Sequence, residues 1–457
     1  MRLLKYLFRF VLIVIFIALA YGIHYCWVSF PIVSGYSAKI MCSAVFVSGR
    51  HEDIVRKEDL GSFPLTLGSC KVDYRDSSVT ATVFGFAKRK AIFRQGLGAT
   101  LIAGLSEEEI RAQKINLAIP PNIREDSVAW PMGDKIADTI PSGIDNGKLS
   151  QAVDHFFDEP DSMRPVRTRA VVVIFNGQLV AERYGPSINA KTRLLGWSMT
   201  KTATGSLIGL LAQEGKVNID SAAPLPQWQS QDNPDHAITI RNLLQQSSGI
   251  DFDEDYTKSS DATDMLYKKA DMGGFTASHP LKNKPGTVFY YSSGNSNILS
   301  KIIRTTVGDV YYYRFPYEKF FYKLGMYSAT LEPDASGTFV GSSYMYATAR
   351  DWARMGLMFL NDGKFNGEQI LSPGWISQAT TPAPAAKEKQ YGFQIWLNAG
   401  SEFADAPADM FYADGYESQN VFVIPSRKLV VVRLGQTHYN NFDTDILLKG
   451  ILDAIRN

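Results

Sequence analysis

Cysteine is scarce in this chain, with three in 457 residues, which excludes a small fold framed by disulfides. Histidine is nearly as rare. His24, His51, His155, His236, His279 and His438 are scattered, and none forms a His-Glu-x-x-His or Cys/His cluster, so no metal site is expected. Charge of one sign is not in excess either: the net value of +1 gives no reason to expect a nucleic-acid partner. The chain has no phosphate-cradling Gly-x-x-x-x-Gly-Lys and no dinucleotide fingerprint, so no cofactor is expected. Around Ser198 the run Gly196-Trp-Ser-Met-Thr200 is not Gly-x-Ser-x-Gly, so the nucleophile elbow of α/β-hydrolases is absent and His438 reads as a loop residue. There is no internal repeat or low-complexity tract. What is present is an ordinary globular composition, 45% apolar and 20% charged, long enough for two or three domains or one large one.

The one long hydrophobic run lies at the start. Arg2, Lys5 and Arg9 precede an apolar stretch from Val11 to Ile23, and apolar character resumes through Tyr25, Cys26, Trp27, Val28 and Phe30. Phe10 to Val28 has about enough residues to span a bilayer. Residues 1–33 therefore read as a signal anchor, with the cations kept in the cytoplasm and the rest of the chain outside it, on the periplasmic side. Cleavage after Ala18-Leu19-Ala20 would instead release a secreted protein. Export would put Cys42 and Cys70 in an oxidising compartment, where a bridge between them would contribute about 3 kcal/mol at most.

Residues 34–145 read as a β-rich accessory segment and linker without chemistry of its own. Val79–Ala87 and Lys90–Leu101 suggest a hairpin turning at Lys88-Arg89, and Ser106-Glu-Glu-Glu109 a short capped helix. Pro120-Pro121, Trp130-Pro131 and Pro141-Ser-Gly mark a linker. The main domain, 146–457, opens with a short helix over Leu149–Phe157 and a hairpin over Asn176-Gly177. A second hairpin over Ser426-Arg-Lys428 and a terminal helix from Asp443 to Ile455, with Ile446, Leu447, Ile451 and Ile455 on one side, close it. One antiparallel sheet flanked by helices, with the middle of the chain as a helical insert, is the α+β fold these segments suggest. Residues 251–285 are polar and irregular and are expected to line something.

Between those hairpins, residues 194–215 turn into an apolar helix with Met199, Ala203, Leu207, Leu210 and Leu211 at helical spacing and Gly215 as its stop. Ser198 stands at the mouth of that helix and Lys201 one turn further in. An amine beside a hydroxyl is one way to make a serine nucleophilic, and the helix N-terminus favours developing negative charge. On its own the pair also fits a Ser and a Lys on a solvated face.

The order of four stretches resembles the serine β-lactamase and penicillin-recognising superfamily. They are Val173-Ile-Phe-Asn-Gly-Gln-Leu-Val-Ala-Glu-Arg-Tyr-Gly185, Trp197-Ser-Met-Thr-Lys201, Ile238-Thr-Ile-Arg-Asn-Leu-Leu-Gln-Gln-Ser-Ser-Gly-Ile250 and Tyr291-Ser-Ser293. Specifically the chain is similar to the class C β-lactamase branch, with family VIII esterases and 6-aminohexanoate-dimer hydrolases; the run Gly415–Pro425 fits the last active-site strand more loosely. The resemblance implies a β-lactamase/transpeptidase-like fold with Ser198 as the acylated nucleophile and Lys201 as its hydrogen-bonding partner. It also implies Tyr291 as general base and then proton donor, and an oxyanion hole from the backbone N–H groups of Ser198 and Tyr416. Ser293 and Gly415 fall at substrate-binding positions. A phenol is a poor base at neutral pH unless an ammonium favours its phenolate, and Lys201 could supply that charge.

Departures from the family pattern bear on substrate. Where a Lys-Thr-Gly or a His-containing variant is usual, this chain has Ala413-Asp414-Gly415, with an acid and no cation. A charged aspartate there would repel a substrate carboxylate by about 1 kcal/mol at 4 Å in water and more in a drier site. Ser293 also replaces the usual Asn. Both changes point to small-molecule or peptide-like esters and amides rather than β-lactams or D-alanyl peptides. The alternatives are a β-lactamase or DD-peptidase, and a non-catalytic envelope-binding protein on the same fold.

Overall fold

A computed structural model describes residues 2–139, 141–159, 161, 163–438 and 442–455. It opens with α1, Arg2–Phe46, a 45-residue helix that passes through Pro31. At 1.5 Å per residue it is about 68 Å long, more than a bilayer needs. From Leu4 to Trp27 most of its side chains are exposed; from Val33 most are buried. The expected boundary at residue 33 is thus a change of surroundings within one continuous helix.

The buried end of α1 packs on a four-stranded antiparallel sheet made by Gly68–Asp73, Ser78–Val83, Phe86–Arg94 and Gly98–Leu101, in sequence order. The turn expected at Lys88-Arg89 lies instead at Phe84-Gly85, and the two cations fall inside the third strand. Phe84 and Gly85 both take positive φ (49° and 80°), the geometry a two-residue hairpin requires. Ser106 does cap its short helix, in a reciprocal capping box with Glu109. Cys42 and Cys70 do not form the expected bridge; Cys26, Cys42 and Cys70 are all free thiols. Cys42 is buried on α1 and Cys70 sits within the first strand, both among the apolar side chains that join helix to sheet.

The main sheet has six antiparallel strands in the order Trp396–Leu397, Phe411–Gly415, Gln419–Ile424, Leu429–Gly435, Thr168–Phe175 and Gln178–Tyr184. The two hairpins from opposite ends of the domain therefore share a sheet, joined by the pairing of Leu429–Gly435 with Thr168–Phe175. Asn176 and Gly177 make the expected positive-φ turn. Helices Asn146–His155 and Thr444–Ala454 cover one face. In the latter, Leu447, Leu448 and Ile451 are buried, but Ile446 is half exposed, contrary to the expected face. Helix Ala349–Leu360 covers the other face, closely enough that a Cβ at Gly356 would meet Val430 at 2.6 Å.

Beyond that helix lies the helical region, with helices Thr200–Gln213, Asp261–Lys268 and Ser293–Val307. The accessory segment is tied to the main domain by charges taken out of water. Glu332, fully buried, pairs with Lys39 of α1 and accepts from Ser43 Oγ (2.9 Å) and the Ala99 N–H (2.6 Å). Arg50 and Arg169 both reach Asp59 at 2.9 Å. Burial alone would raise the Asp59 carboxyl, but the two guanidiniums hold it below its ordinary value.

Candidate active site

Strand Leu194–Leu195 delivers the chain to a tight turn, Trp197–Met199, from which helix Thr200–Gln213 starts. Gly196 is required there because a Cβ would meet the Trp352 ring at 2.2 Å. Trp197 takes φ +47°, a conformation that L-residues seldom adopt, and Ser198 follows it, partly exposed.

Lys201, 1% exposed, donates to Ser198 Oγ at 2.9 Å, to Ser293 Oγ at 3.1 Å and to the Ser342 carbonyl at 3.1 Å. Burial pushes its amine down to about 8, against the opposing charges of Glu254 and Asp414. Tyr291 stands beside this pair, with Lys201 Nζ 4.8 Å from its ring centroid. The phenol ring packs on Trp396 (centroids 5.2 Å apart) and edge-on to Tyr391 (5.9 Å). Burial pushes the Tyr291 hydroxyl well above its ordinary value; Tyr391 and Asp414 add to the effect and the Ser198 hydroxyl opposes it.

Strand Phe411–Gly415 ends against the nucleophile turn, where a Cβ on Gly415 would meet the Gly196 carbonyl at 2.2 Å. Tyr416 comes next, lines the same cavity as Ser198, and sets its ring edge-on to Trp197 at 5.7 Å. Ser293 is less open than a substrate-binding position suggests. It is buried at the start of its helix, bonded to Lys201 on one side and to the Tyr256 hydroxyl (2.8 Å) on the other. Asp414 accepts from Asn420 Nδ2 at 2.8 Å. Burial pushes its carboxyl up to about 7, which weakens its repulsion of anions below neutral pH.

Some residues of the site were not singled out in the sequence. Glu254 accepts from the Ser293 N–H and from Tyr256, both at 2.8 Å, and so stands behind the lysine. Both belong to the acidic run Asp253-Glu-Asp-Tyr256, within the polar stretch expected to line something. His438 also faces this cavity, with Nδ1 2.8 Å from Glu417, although Ser198 Oγ is engaged by Lys201. The larger omission is the accessory segment. Tyr36 of α1 stacks on Trp197 (6.0 Å, 22°), and Ile32, Val33, Phe63 and Leu65 line the cavity of about 230 Å³ that holds Ser198. The segment read as having no chemistry is a wall of the site.

Comparison with known proteins gives the same outline. The family model Beta-lactamase matches residues 153–455. The 6-aminohexanoate-dimer hydrolase of Paenarthrobacter ureafaciens is 24% identical over 322 residues, 63% of this chain and 79% of its own length. Among solved structures, a putative 6-aminohexanoate-dimer hydrolase from Bacillus anthracis superposes with a TM-score of 0.55 at 24% identity, over 67% of this chain and 80% of its own. EstCE1, a hydrolase with promiscuous acyltransferase activity, gives 0.55 at 16% identity over 68% and 99%. The family match stops short of α1 and the four-stranded sheet. With a matched region covering most of its length, and hydrolases among its relatives, this chain belongs to the Beta-lactamase family and is a hydrolase.

Proposed function

We propose that this protein is a membrane-anchored serine hydrolase, with its catalytic domain outside the cytoplasm, that cleaves esters or amides through an acyl-enzyme on Ser198. The observation that carries the reading is the buried Lys201 amine donating to Ser198 Oγ at 2.9 Å, with the Tyr291 ring centroid 4.8 Å from the same amine. The directions of the two shifts favour a division of labour opposite to a tyrosinate base. An amine held near 8 is free in about a quarter of molecules at pH 7.5, while a phenol raised by burial keeps its proton. In this reading Lys201 accepts the Ser198 proton as Oγ attacks the carbonyl carbon. Tyr291 then protonates the leaving oxygen or nitrogen, and water releases the acyl group by the reverse path. The N–H groups of Ser198 and Tyr416 would hold the oxyanion, each worth about two to three orders of magnitude in rate.

Asp414 supports substrates without a carboxylate beside the scissile bond. No cation stands at that strand position, and above pH 7 the carboxylate repels an anion there. Anchoring is supported by the apolar length of α1 and by the three cations that precede its apolar stretch. A fluorophosphonate should label Ser198 and no other serine, and a p-nitrophenyl ester should be turned over with a burst that Ser198→Ala abolishes. Labelling elsewhere, or an undiminished burst in Ser198→Ala, would refute the assignment.

A further inference from the structure

The cavity that holds Ser198 opens beside the membrane helix. Counting about 20 residues from Arg9 for the hydrocarbon core brings its far edge to within a turn of Trp27. Trp27 is 80% exposed, as expected of an interfacial aromatic. Ile32 and Val33 follow less than two turns later, about 8 Å further along the axis, and these residues line the cavity of the nucleophile. The accessory segment carries more exposed aromatics at this level. Phe84, at the hairpin tip, packs edge-on to Phe30 of α1 (6.1 Å) and is itself exposed, as is Phe86. Phe63, 77% exposed, borders the cavity itself, and Leu65 and Leu266 continue the apolar wall inward. Arg89 and Lys268 stand at the groove between this hairpin and the membrane half of α1, where lipid phosphates would lie. The buried Lys39–Glu332 pair and the Tyr36–Trp197 stack fix the buried half of α1 against the turn that carries Ser198, so that half of the helix and the cavity keep one geometry.

We propose that the substrate is a membrane lipid: an ester or amide with a long acyl chain, drawn from the adjoining leaflet along α1 into the cavity between Ile32, Val33, Leu65 and Leu266. This rests on the acyl-enzyme reading above. The carbonyl carbon reaches Ser198, the Ser198 Oγ–acyl bond forms as the bond to the headgroup oxygen or nitrogen breaks, and the headgroup leaves with the proton. Water then cleaves the Ser198 ester and yields the free fatty acid. The headgroup stays in the interface and the chain never crosses bulk water.

The test uses the full chain reconstituted in phosphatidylethanolamine/phosphatidylglycerol vesicles (3:1), with p-nitrophenyl esters of two to twelve acyl carbons. kcat/KM should rise about fourfold per methylene over the first additions, the transfer gain of one buried CH2. Ile32→Trp and Leu65→Trp, which fill the passage, should each lower the ratio of decanoate to acetate kcat/KM at least tenfold while Ser198 still takes the fluorophosphonate. The vesicles should release fatty acid, and Ser198→Ala should stop it. A profile that is flat or falls from acetate, with Ser198 still labelled, overturns the lipid substrate and leaves the serine mechanism standing. A rising profile without fatty-acid release overturns the bilayer as the source. No turnover at any length together with no labelling overturns the acyl-enzyme reading itself.

Discussion

Glu254→Gln tests the electrostatic design of the site. The Glu254 carboxylate accepts from the Ser293 N–H at 2.8 Å, and Ser293 Oγ accepts from Lys201 at 3.1 Å, so the path from carboxylate to amine through that serine is about 9 Å at most. At that distance their attraction favours the charged lysine by about 0.5 kcal/mol if fully water-screened, or about 1.8 kcal/mol at an effective dielectric of 20. Tyr256 beside the carboxylate is half exposed, which places the value toward the lower end. Glutamine keeps an acceptor for the same two bonds and removes the charge. The Lys201 midpoint should therefore fall from about 8 by about 0.5 to 1 pH unit. If the free amine is the active form, as proposed, the rate of Ser198 labelling by a fluorophosphonate should rise with pH through that midpoint. At pH 6.5 the variant should be about 3- to 10-fold faster than the parent, and above pH 9 the two should coincide. In Tyr291→Phe the rate should be lower but the midpoint near 8 should persist. Loss of the pH dependence in Tyr291→Phe would make the phenolate the base, and a midpoint that rises or stays fixed in Glu254→Gln would refute the placement of the charges.

The structure makes further predictions about the nucleophile turn and the accessory wall. Gly415→Ala should cost about two to three orders of magnitude in kcat, since its Cβ must push the strand off the Gly196 carbonyl and carry Tyr416 with it; unaltered kcat would refute the placement of that donor. Tyr36→Ala removes a ring stacked on Trp197 and should lower stability by about 3 kcal/mol, read as a drop in Tm; unchanged Tm would show that α1 contributes nothing to the turn. Denatured protein, purified without reductant, should titrate three thiols per chain, and a count of one would restore the bridge between Cys42 and Cys70.

Much of the catalytic group was legible because it is local or carried by order. Ser198 and Lys201 are one helical turn apart, and the Asn176-Gly177 and Ser426–Lys428 turns announced hairpins that need only each other to make a sheet. Tyr291 was found through the order of motifs and its place between the Pro285-Gly286 turn and Ser292-Ser-Gly294, because a tyrosine alone does not stand out from the other 21 of the chain. What escaped is long-range. Glu254 and Tyr256 lie in the polar stretch expected to line something, but only the fold brings them to Ser293, and nothing marked Lys39, whose partner Glu332 is 293 residues away. Burial, too, is a tertiary property. It lowers the amine of Lys201, raises the phenol of Tyr291 and moves the Asp414 carboxyl up to about 7, directions that support a lysine base over the expected phenolate. The hairpin misplaced at Lys88-Arg89 shows the reverse error. Two charged residues suggested a turn, but the backbone demanded positive φ and took it at Phe84-Gly85.

The most consequential difference concerns where the catalytic unit begins. Sequence motifs put its start at residue 146, yet a fragment of 146–457 would strip Glu332 of Lys39, Ser43 and the Ala99 N–H. Where water does not reach the stripped carboxylate, losing its partner costs about 3–5 kcal/mol. Arg169 would lose Asp59 as well, and the Trp197 face covered by Tyr36 would be exposed. Against a total stability of about 5–15 kcal/mol these losses are enough to unfold the domain or leave it aggregating. A fragment of 29–457 lacks the exposed apolar half of α1 and keeps every one of these contacts. It should be soluble, unfold cooperatively and label at Ser198 at the rate of the full chain. The 146–457 fragment should fail in solubility or fall by more than 10 °C in Tm, several kcal/mol at this size. Equal Tm and equal labelling rate in the two fragments would mean that α1 and its sheet merely rest on a self-sufficient hydrolase, and that the wall they form beside Ser198 is incidental.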